Sequence, residues 1–429
     1  MSTSATAHIH ENAQIEAEVS ELCRAAKAAA RKLALASDET RSGVLRAIAA
    51  RIRKEGARIT AANESDVAAG RKAGLTTALL DRLTLTPARI EAMASGAEMV
   101  AGLPDPLRDP ISEWTTERGL HICQVRIPIG VVGMIYESRP NVTIDVAALC
   151  LKSGNACVLK GGKEAFRSNA ILADIVSGEL AAAGLPSGAV QLIRSLDRRA
   201  TESMLRQEAY LDVIVPRGGP GLVRAIAEHS RVPVIRHYEG VCHTYVDAEA
   251  DLQMAADIAF NAKCDRPGVC NAMENLVVHS SVAEPFLKML APRLLEAGVQ
   301  LRGDQRARAA VPEASAATEE DWRSEYLDLV LAIKVVDSLE EAIDFVNTNG
   351  SGHSDAIVTR SRANADRFLA EVDSAAVYEN ASTRFTDGYE FGFGAEVGIS
   401  TNRIHARGPM GLRELTTYKY VVRGQGQVR

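Results

Sequence analysis

Apolar strands alternate with helices along the middle of the chain, and this alternation restricts the fold more than any other feature. After residue 128, apolar segments occur at 129–136, 156–159, 190–193, 211–215 and 232–235. Helical patterns lie between them at 145–151, 170–176 and 221–227. Strands that are apolar on both faces need helices on both sides, so the chain predicts an α/β fold with a parallel, doubly covered sheet.

A second α/β unit is predicted at 237–405. Its expected strands lie at 329–335, 354–358 and 376–380, with helices at 283–297 and 339–346. A charged stretch at 305–321 favours a mobile segment, and residues 11–100 favour helices. The length of 429 residues is typical of two or three domains.

A β arm is predicted from two distant segments. Residues 111–127 indicate two strands around a turn at Arg118-Gly119, and a two-stranded hairpin is marginal by itself. The β-rich run at 415–422 is a candidate partner, and another subunit is a second candidate. We therefore predict one domain from 1–110 and 128–236, a second from 237–405, and a small oligomerisation arm from 111–127 and 406–429.

Composition excludes several classes of protein. The chain is 46% hydrophobic and 24% charged, with a net charge of −6, which argues against a nucleic-acid surface. It has no apolar run long enough for a membrane span and no signal-peptide pattern. Seven scattered cysteines without CxxC spacing, and nine histidines without ligand spacing, predict a reducing, cytoplasmic location and no metal site.

Two glycine-containing loops follow strands of the first predicted sheet. Lys160-Gly161-Gly162-Lys163-Glu164 follows the second strand, and Pro216-Arg-Gly218-Gly219-Pro-Gly221 follows the fourth and opens a helix. Ligands of parallel sheets bind at the carboxyl ends of the strands, and glycine-rich helix starts accept phosphates. Together the loops predict a cofactor site.

A cysteine follows a turn between two apolar elements of the second unit. In 261–272 an Ala-rich helix ends, Pro267-Gly268 makes a turn, and Cys270 precedes the apolar run 276–278. A thiol held on such a loop is suited to nucleophilic chemistry. A small buried core residue is the structural alternative, and Cys264, in the helical part, is a rival thiol.

Several motifs resemble one known family. They are Ser138-Arg-Pro-Asn-Val-Thr-Ile-Asp145, Lys160-Gly-Gly-Lys-Glu164, Arg236-His-Tyr-Glu-Gly-Val-Cys-His243, Arg266-Pro-Gly-Val-Cys-Asn-Ala272 and Gly350-Ser-Gly-His-Ser354. In this order they are similar to the gamma-glutamyl phosphate reductase branch of the aldehyde dehydrogenase superfamily. The resemblance covers nearly the whole chain. It implies an aldehyde dehydrogenase-like fold with a cofactor domain, a catalytic domain and an oligomerisation arm.

The resemblance also implies a reaction. It is the NADPH-dependent reduction of L-glutamyl 5-phosphate to L-glutamate 5-semialdehyde and phosphate through a cysteine thioester, in the second step of proline biosynthesis. An NAD(P)-dependent hydrolytic aldehyde dehydrogenase and a non-catalytic oligomeric scaffold are the alternatives. The partners that the resemblance implies are this small-molecule substrate and further copies of the chain. It is also compatible with functional coupling to glutamate 5-kinase.

Two residues receive catalytic roles from the resemblance. Cys270 matches the nucleophile. Asn141 matches the side chain that donates to the oxyanion, although it could instead cap the helix that begins near Thr143. Hydrolytic members place a glutamate in the segment matching 236–240, where this chain has His237, with Glu239 two residues on. Without that base, phosphate is favoured over water as the group that cleaves the thioester. A base role for His237 or for Glu239 stays open.

The resemblance also assigns cofactor and substrate ligands. Lys160, with Gly161 and Gly162, would lie at the adenosine ribose, and Lys163 replaces a glutamate of NAD-preferring members, which favours the 2′-phosphate of NADP. Glu325 would bind the nicotinamide ribose. The structural alternatives are that Lys163 is a solvated lysine and that Glu325 is a surface carboxylate. The candidate substrate ligands are Arg139, Arg266, Ser400 and Thr401.

Overall fold

The computed structural model describes residues 2–107, 110–236 and 238–429. The chain divides into two compact units. The first comprises Met1–Arg236, Gly392–Gly398 and Met410–Arg429, and the second comprises His237–Phe391 and Ile399–Pro409. The finer division of the first unit into a domain and an arm stays a prediction.

The elements up to residue 236 belong to the first unit. Its helices are α1 (Ser2–Leu33), α2 (Asp38–Lys54), α3 (Gly56–Lys72), α4 (Thr77–Leu83), α5 (Pro87–Gly102), α6 (Val142–Lys152), α7 (Phe166–Ala182), α8 (Arg198–Met204) and α9 (Pro220–His229). The strands are β1 (Pro110–Thr115), β2 (His121–Pro128), β3 (Val131–Tyr136), β4 (Ala156–Gly161), β5 (Val190–Leu192) and β6 (Val213–Arg217).

The elements that follow belong mostly to the second unit. The helices are α10 (Leu252–Cys264), α11 (Ser280–Glu296), α12 (Gln305–Ala310), α13 (Leu339–Asn349) and α14 (Arg362–Glu371). The strands are β7 (Cys242–Val246), β8 (Met273–His279), β9 (Gln300–Gly303), β10 (Ser315–Ala316), β11 (Val330–Val336), β12 (Ser354–Val358), β13 (Ala376–Glu379), β14 (Ile399–Ser400) and β15 (Gly408–Pro409). The last strand, β16 (Thr416–Arg423), returns to the first unit.

The sheet of the first unit is parallel, in the order β5-β4-β3-β6. Every residue of β3 is buried, which explains why the strand is apolar on both faces. At its carboxyl end Tyr136 faces Gly161 of β4 and Arg217 of β6. The predicted alternation of strands and helices is therefore confirmed, and the two glycine loops leave the same edge of the sheet.

Helices of the N-terminal region pack on this sheet. Val19, Cys23 and Ala26 of α1 share one core with Val131 and Val158. α2 begins at a Ser37 cap and carries acidic residues in its first turn and basic residues in its last. That charge order stabilises the helix because it complements the helix dipole.

The second unit is built on a parallel sheet in the order β10-β9-β11-β8-β7-β12-β13. Successive residues of β8 pack into two different hydrophobic cores. Leu276 and Val278 pack with Phe286 of α11, whereas Val277 packs with Val346 of α13. Helices thus cover both faces, as continuous apolar strands require.

Regular elements lie within the charged stretch at 305–321, where α12 and β10 form, and its mobility stays a prediction. Asp304 caps α12 by accepting from Ala307 N at 2.8 Å, and Asp321 accepts from Thr318 N at 2.7 Å. The expected strand at 232–235 is a single bridge between Val234 and Ile214.

The arm consists of β1, β2 and β16, with β2 in the middle and both pairings antiparallel. The predicted pairing of the C-terminal β run with residues 111–127 is confirmed. Thr417 faces Ile127 and Val421 faces Cys123. Trp114 of β1 touches Tyr420 of β16 edge to face, with ring centroids 6.1 Å apart.

The described residues contain neither a candidate membrane span nor a candidate metal cluster. None of the described helices has the length and apolar character needed to cross a membrane. Within the same residues no cluster of three or more His, Cys, Asp or Glu side chains could hold a metal ion.

The close packing around β3 gives a stability test. A Cβ at Gly133 would lie 2.8 Å from Met204 Cε and 2.9 Å from Ile214 Cγ1. Gly133→Ala should therefore lower the free energy of unfolding by about 1–3 kcal/mol through overpacking, as measured by urea denaturation.

Gly43→Ala is the matched control. Gly43 lies inside α2, and a Cβ there meets no described heavy atom within 4 Å. This variant should gain up to about 1 kcal/mol from helix propensity. Equal stability of Gly133→Ala and the wild type would contradict the packing described for β3.

Candidate active site

Cys270 lies on the loop between α10 and β8. Asp251 caps the start of α10, and the helix ends at Cys264, so this rival thiol is helical as predicted. Ala272 N donates to Val269 O at 3.1 Å and closes a turn around Cys270. The Cys270 side chain is partly exposed. The alternative of a fully buried core cysteine is therefore wrong.

The loop lies at the amino edge of its sheet. Cys270 precedes β8, Gly240 precedes β7 and Glu325 precedes β11, and these strands are neighbours in the order β11-β8-β7. Loops that lead into adjacent parallel strands meet at one edge. The general rule places the ligands of parallel sheets at the carboxyl edge, so it does not predict this site.

Gly240 packs directly against the backbone of the cysteine. A Cβ at position 240 would lie 2.0 Å from Cys270 O and 2.7 Å from Cys270 Cα. The Cys242 thiol donates to the same carbonyl oxygen at 3.2 Å. The loop is thus fixed from one side by contacts that leave no room for a side chain at 240.

Asn271 fixes the loop from the other side. Its Nδ2 donates to the carbonyl oxygens of Arg384, at 3.2 Å, and Thr386, at 3.0 Å, while Thr383 Oγ1 donates to Asn271 O at 2.7 Å. The Arg384 guanidinium binds both Asn271 Oδ1 and Asp265. Sequence reasoning missed Arg384, because its partners are remote in the chain and no motif marks it.

Glu325 lies beside the segment that supports the cysteine. Its carboxylate accepts the backbone N–H of Gly240. Burial raises the pKa of Glu325, and the nearby Glu239 charge raises it further. The structure therefore brings Glu325, Glu239 and Gly240 together, whereas His237 lies outside the described residues.

A buried ion pair flanks the cysteine loop and was also missed. Lys263 Nζ lies 2.6 Å from Glu274 Oε2, and both side chains are completely buried. Burial raises the pKa of Glu274 to about 7, while the Lys263 charge acts in the opposite direction. In the sequence Lys263 resembles the polar end of a helix, and nothing there indicates that it is buried.

Asn141 is the residue that precedes α6 in the first unit, and its side chain forms no capping bond. A side-chain cap, the alternative role, is therefore wrong. Asn141 Nδ2 instead donates to Asp145 Oδ2 at 2.8 Å. Burial raises the pKa of Asp145 to about 6, with Asn141 and the Arg217 charge opposing it. An amide has two N–H donors, so this bond orients Asn141 and leaves its oxyanion role a prediction.

Lys160 ends β4 with a mostly buried side chain. Burial lowers its pKa, and the Glu164 charge opposes that shift. The glycines that follow serve the packing of the unit. A Cβ at Gly161 would lie 2.2 Å from Asn169 Nδ2, and one at Gly162 would lie 2.1 Å from Glu164 Oε1. The cofactor-binding role of these glycines remains a prediction.

The second glycine loop, at 216–221, already binds the carboxylate of Glu137. Gly219 N donates to Glu137 Oε2 at 3.1 Å, and a Cβ at Gly218 would lie 2.5 Å from that oxygen. An incoming phosphate would have to displace Glu137 from this donor. Lys163, by contrast, is exposed and forms no ion pair with the described residues.

The candidate substrate ligands differ in exposure. Arg266 is exposed, and Arg139 and Thr401 are partly exposed. Ser400 is fully buried, and its hydroxyl accepts from Asn402 N at 3.2 Å. That hydroxyl therefore stabilises its own loop. The binding roles of these four residues remain predictions.

The contact at Gly240 can be tested through the reactivity of the thiol. Gly240→Ala should displace the Cys270 backbone and change its alkylation rate by about tenfold or more, because a Cβ cannot occupy that space. The measurement is iodoacetamide labelling followed by mass spectrometry of the Cys270 peptide.

Gly268→Ala is the control in the same loop. Its nearest described contact, Leu327 O at 3.7 Å, is ordinary van der Waals contact, so labelling should stay close to the wild-type rate. Identical labelling of Gly240→Ala and the wild type would show that Gly240 does not hold the loop.

Comparisons with known proteins agree with this architecture. The family model "Aldehyde dehydrogenase family" matches residues 3–314 and 309–421. A gamma-glutamyl phosphate reductase of Moorella thermoacetica is 56% identical over 94% of this chain and 97% of its own length. One from Syntrophomonas wolfei is 52% identical over 97% of this chain and 99% of its own length.

A solved structure shows the same fold. The crystal structure of gamma-glutamyl phosphate reductase from Thermotoga maritima is 45% identical and aligns with a TM-score of 0.94, covering 96% of this chain and 100% of that one. The predicted α/β aldehyde dehydrogenase-like fold and the resemblance are thereby confirmed. Members of this family are oxidoreductases that use nicotinamide cofactors. The chain belongs to the aldehyde dehydrogenase family, within its gamma-glutamyl phosphate reductase branch.

Proposed function

We propose that the protein reduces L-glutamyl 5-phosphate with NADPH to L-glutamate 5-semialdehyde and phosphate, as a reductase of proline biosynthesis. The observation that carries this proposal is the partly exposed Cys270 on a loop fixed by Gly240 and Asn271. The relatives named gamma-glutamyl phosphate reductase supply the substrate class.

The Cys270 sulfur begins the reaction. Its thiolate attacks the acyl carbon, the bond from that carbon to the phosphate oxygen breaks, and phosphate leaves with the electron pair. The product on the protein is a thioester. NADPH, when bound, would supply the hydride that reduces this thioester. Addition of the hydride to the acyl carbon leaves an oxyanion, and the carbon–sulfur bond then breaks to give aldehyde and the Cys270 thiolate.

Each tetrahedral species carries an oxyanion that needs hydrogen-bond donors. The backbone N–H of Cys270 is one candidate and the Asn141 amide is the other. Asp145 supports the second candidate because its carboxylate holds the amide in one orientation. Arg384, bound to Asp265 and Asn271, keeps the cysteine backbone in place during the reaction.

The cofactor would be held by residues of matching chemistry. Lys160 and Lys163, which is exposed and forms no ion pair among the described residues, would supply donors for a ribose and for the 2′-phosphate that distinguishes NADP. Glu325 supplies an acceptor for the nicotinamide ribose, and its bond from Gly240 fixes the carboxylate. Gly218 and Gly219 are weaker candidates, because Glu137 holds the Gly219 N–H.

Oligomerisation and location complete the proposal. The arm exposes about half of the surface of Tyr418, Tyr420 and Val422, with relative exposures of 51%, 54% and 53%, which supports contact with a second copy. A thiol nucleophile must stay reduced, which supports the cytoplasm. Coupling to glutamate 5-kinase would shorten the time that the acyl phosphate spends in water.

Phosphate dependence tests the reaction in reverse. The protein should form NADPH from NADP and glutamate 5-semialdehyde when inorganic phosphate is present, with a rate that falls to background without it, because phosphate must cleave the thioester. Absorbance at the NADPH band measures the rate. Turnover that is independent of phosphate would instead identify a hydrolytic aldehyde dehydrogenase.

Cys270→Ser is the control for the nucleophile. It should lower the rate by about a thousandfold or more, because a hydroxyl without an adjacent base is a weak nucleophile. Cys264→Ser, six residues earlier in α10, should keep the rate within about twofold of the wild type. Full activity of Cys270→Ser would show that Cys270 is not the nucleophile.

The coenzyme preference tests Lys163. Lys163→Glu should lower the ratio of kcat/KM for NADPH to that for NADH by about tenfold or more, because a carboxylate repels the 2′-phosphate. Lys72→Glu makes the same charge change on the exposed face of α3 and should leave the ratio unchanged. An unchanged ratio in Lys163→Glu would exclude a contact with the 2′-phosphate.

A further inference from the structure

The completely buried ion pair of Lys263 and Glu274 needs an explanation. Removing two charges from water is costly, and replacing such pairs by apolar side chains is often neutral or stabilising. Here the nitrogen and oxygen lie 2.6 Å apart with both side chains at 0% exposure. Stability alone therefore does not account for these residues, which lie on either side of the Cys270 loop.

Glu274 has a second partner. Its Oε1 accepts the backbone N–H of Leu327 at 3.4 Å, while Oε2 binds Lys263. Leu327 has a φ of +54°, a left-handed conformation that costs a side-chain-bearing residue about 1–2 kcal/mol. The Glu274 carboxylate thus stabilises a strained turn two residues after Glu325.

The residue between Glu325 and Leu327 is held as well. The Tyr326 ring has the Lys263 ammonium 5.9 Å and the Arg302 guanidinium 5.1 Å from its centroid. Its hydroxyl donates to Asp321 Oδ1 at 2.8 Å. Lys263 therefore contacts the turn directly and also through Glu274.

The turn joins two parts of the candidate site. The Glu325 carboxylate accepts from Gly240 N, and Gly240 packs against the Cys270 backbone. We propose that Lys263 and Glu274 are a positioning pair that holds the 325–327 turn, so that Glu325 is placed to bind the dinucleotide beside the cysteine loop. This inference rests on the role of Glu325 in the proposed function.

Two double variants separate positioning from stability. Lys263→Met with Glu274→Leu removes both charges and every acceptor for the Leu327 N–H. Lys263→Met with Glu274→Gln removes the same charges but keeps a carbonyl oxygen that can accept it. Thermal unfolding establishes that each variant is folded, and titration calorimetry with NADP gives the dissociation constant of the full chain.

The Leu double variant should bind NADP about tenfold more weakly, while its melting temperature equals or exceeds that of the wild type. The Gln double variant should stay within about threefold of the wild-type dissociation constant. Glu325→Ala should weaken binding by itself and add little to the Leu double variant, because both changes disable the same group. In the reverse reaction, KM for NADP should rise more than kcat falls.

Wild-type affinity in the Leu double variant would overturn the inference. So would equal weakening in both double variants, or additive losses with Glu325→Ala, since the pair would then not act through the turn. If Glu325→Ala alone leaves the affinity unchanged, the inference is also wrong. Failure of the proposed function would show separately, as phosphate-independent turnover by the wild-type protein.

Discussion

The hydrogen bonds of Asn271 hold the reactive part of the molecule together. Its amide donates to two carbonyl oxygens of the 384–386 segment, its own carbonyl oxygen accepts from Thr383, and its side-chain oxygen accepts from Arg384. Because all these bonds involve the residue after Cys270, the cysteine backbone is fixed while its sulfur stays partly exposed. A nucleophile positioned in this way loses little conformational entropy when it reacts.

The second sheet carries its polar groups at the edge where its central strands begin. Glu325, Gly240 and Cys270 precede three neighbouring strands there. Behind them Leu276, Val277 and Val278 of β8 are buried in the two hydrophobic cores of the unit. A densely packed sheet has low compressibility, so the loops that enter it are held by a rigid base. The costly Lys263–Glu274 pair lies within this base.

Much of the fold followed from local patterns. β3 could be predicted because a strand that is buried on both faces is apolar throughout, and the partner of the arm because both segments favour β structure. Cys270 could be selected because Pro267-Gly268 places it on a turn. Arg384 could not, since its partners are 113 and 119 residues away in the chain. The contacts of Gly161 and Gly162 with Asn169 and Glu164 could not be predicted either, because side-chain packing across a loop leaves no local pattern.

The order of the arm has a consequence for synthesis. β2 lies between β1 and β16, and Arg126 of β2 binds Thr416, which is 290 residues later in the chain. During translation β2 leaves the ribosome with one edge unpaired, and that edge stays unpaired until β16 has been made. Such long-range pairing is slow, and an unpaired strand attracts other chains. The nascent polypeptide is therefore most exposed to misassembly in the interval before its last strand emerges.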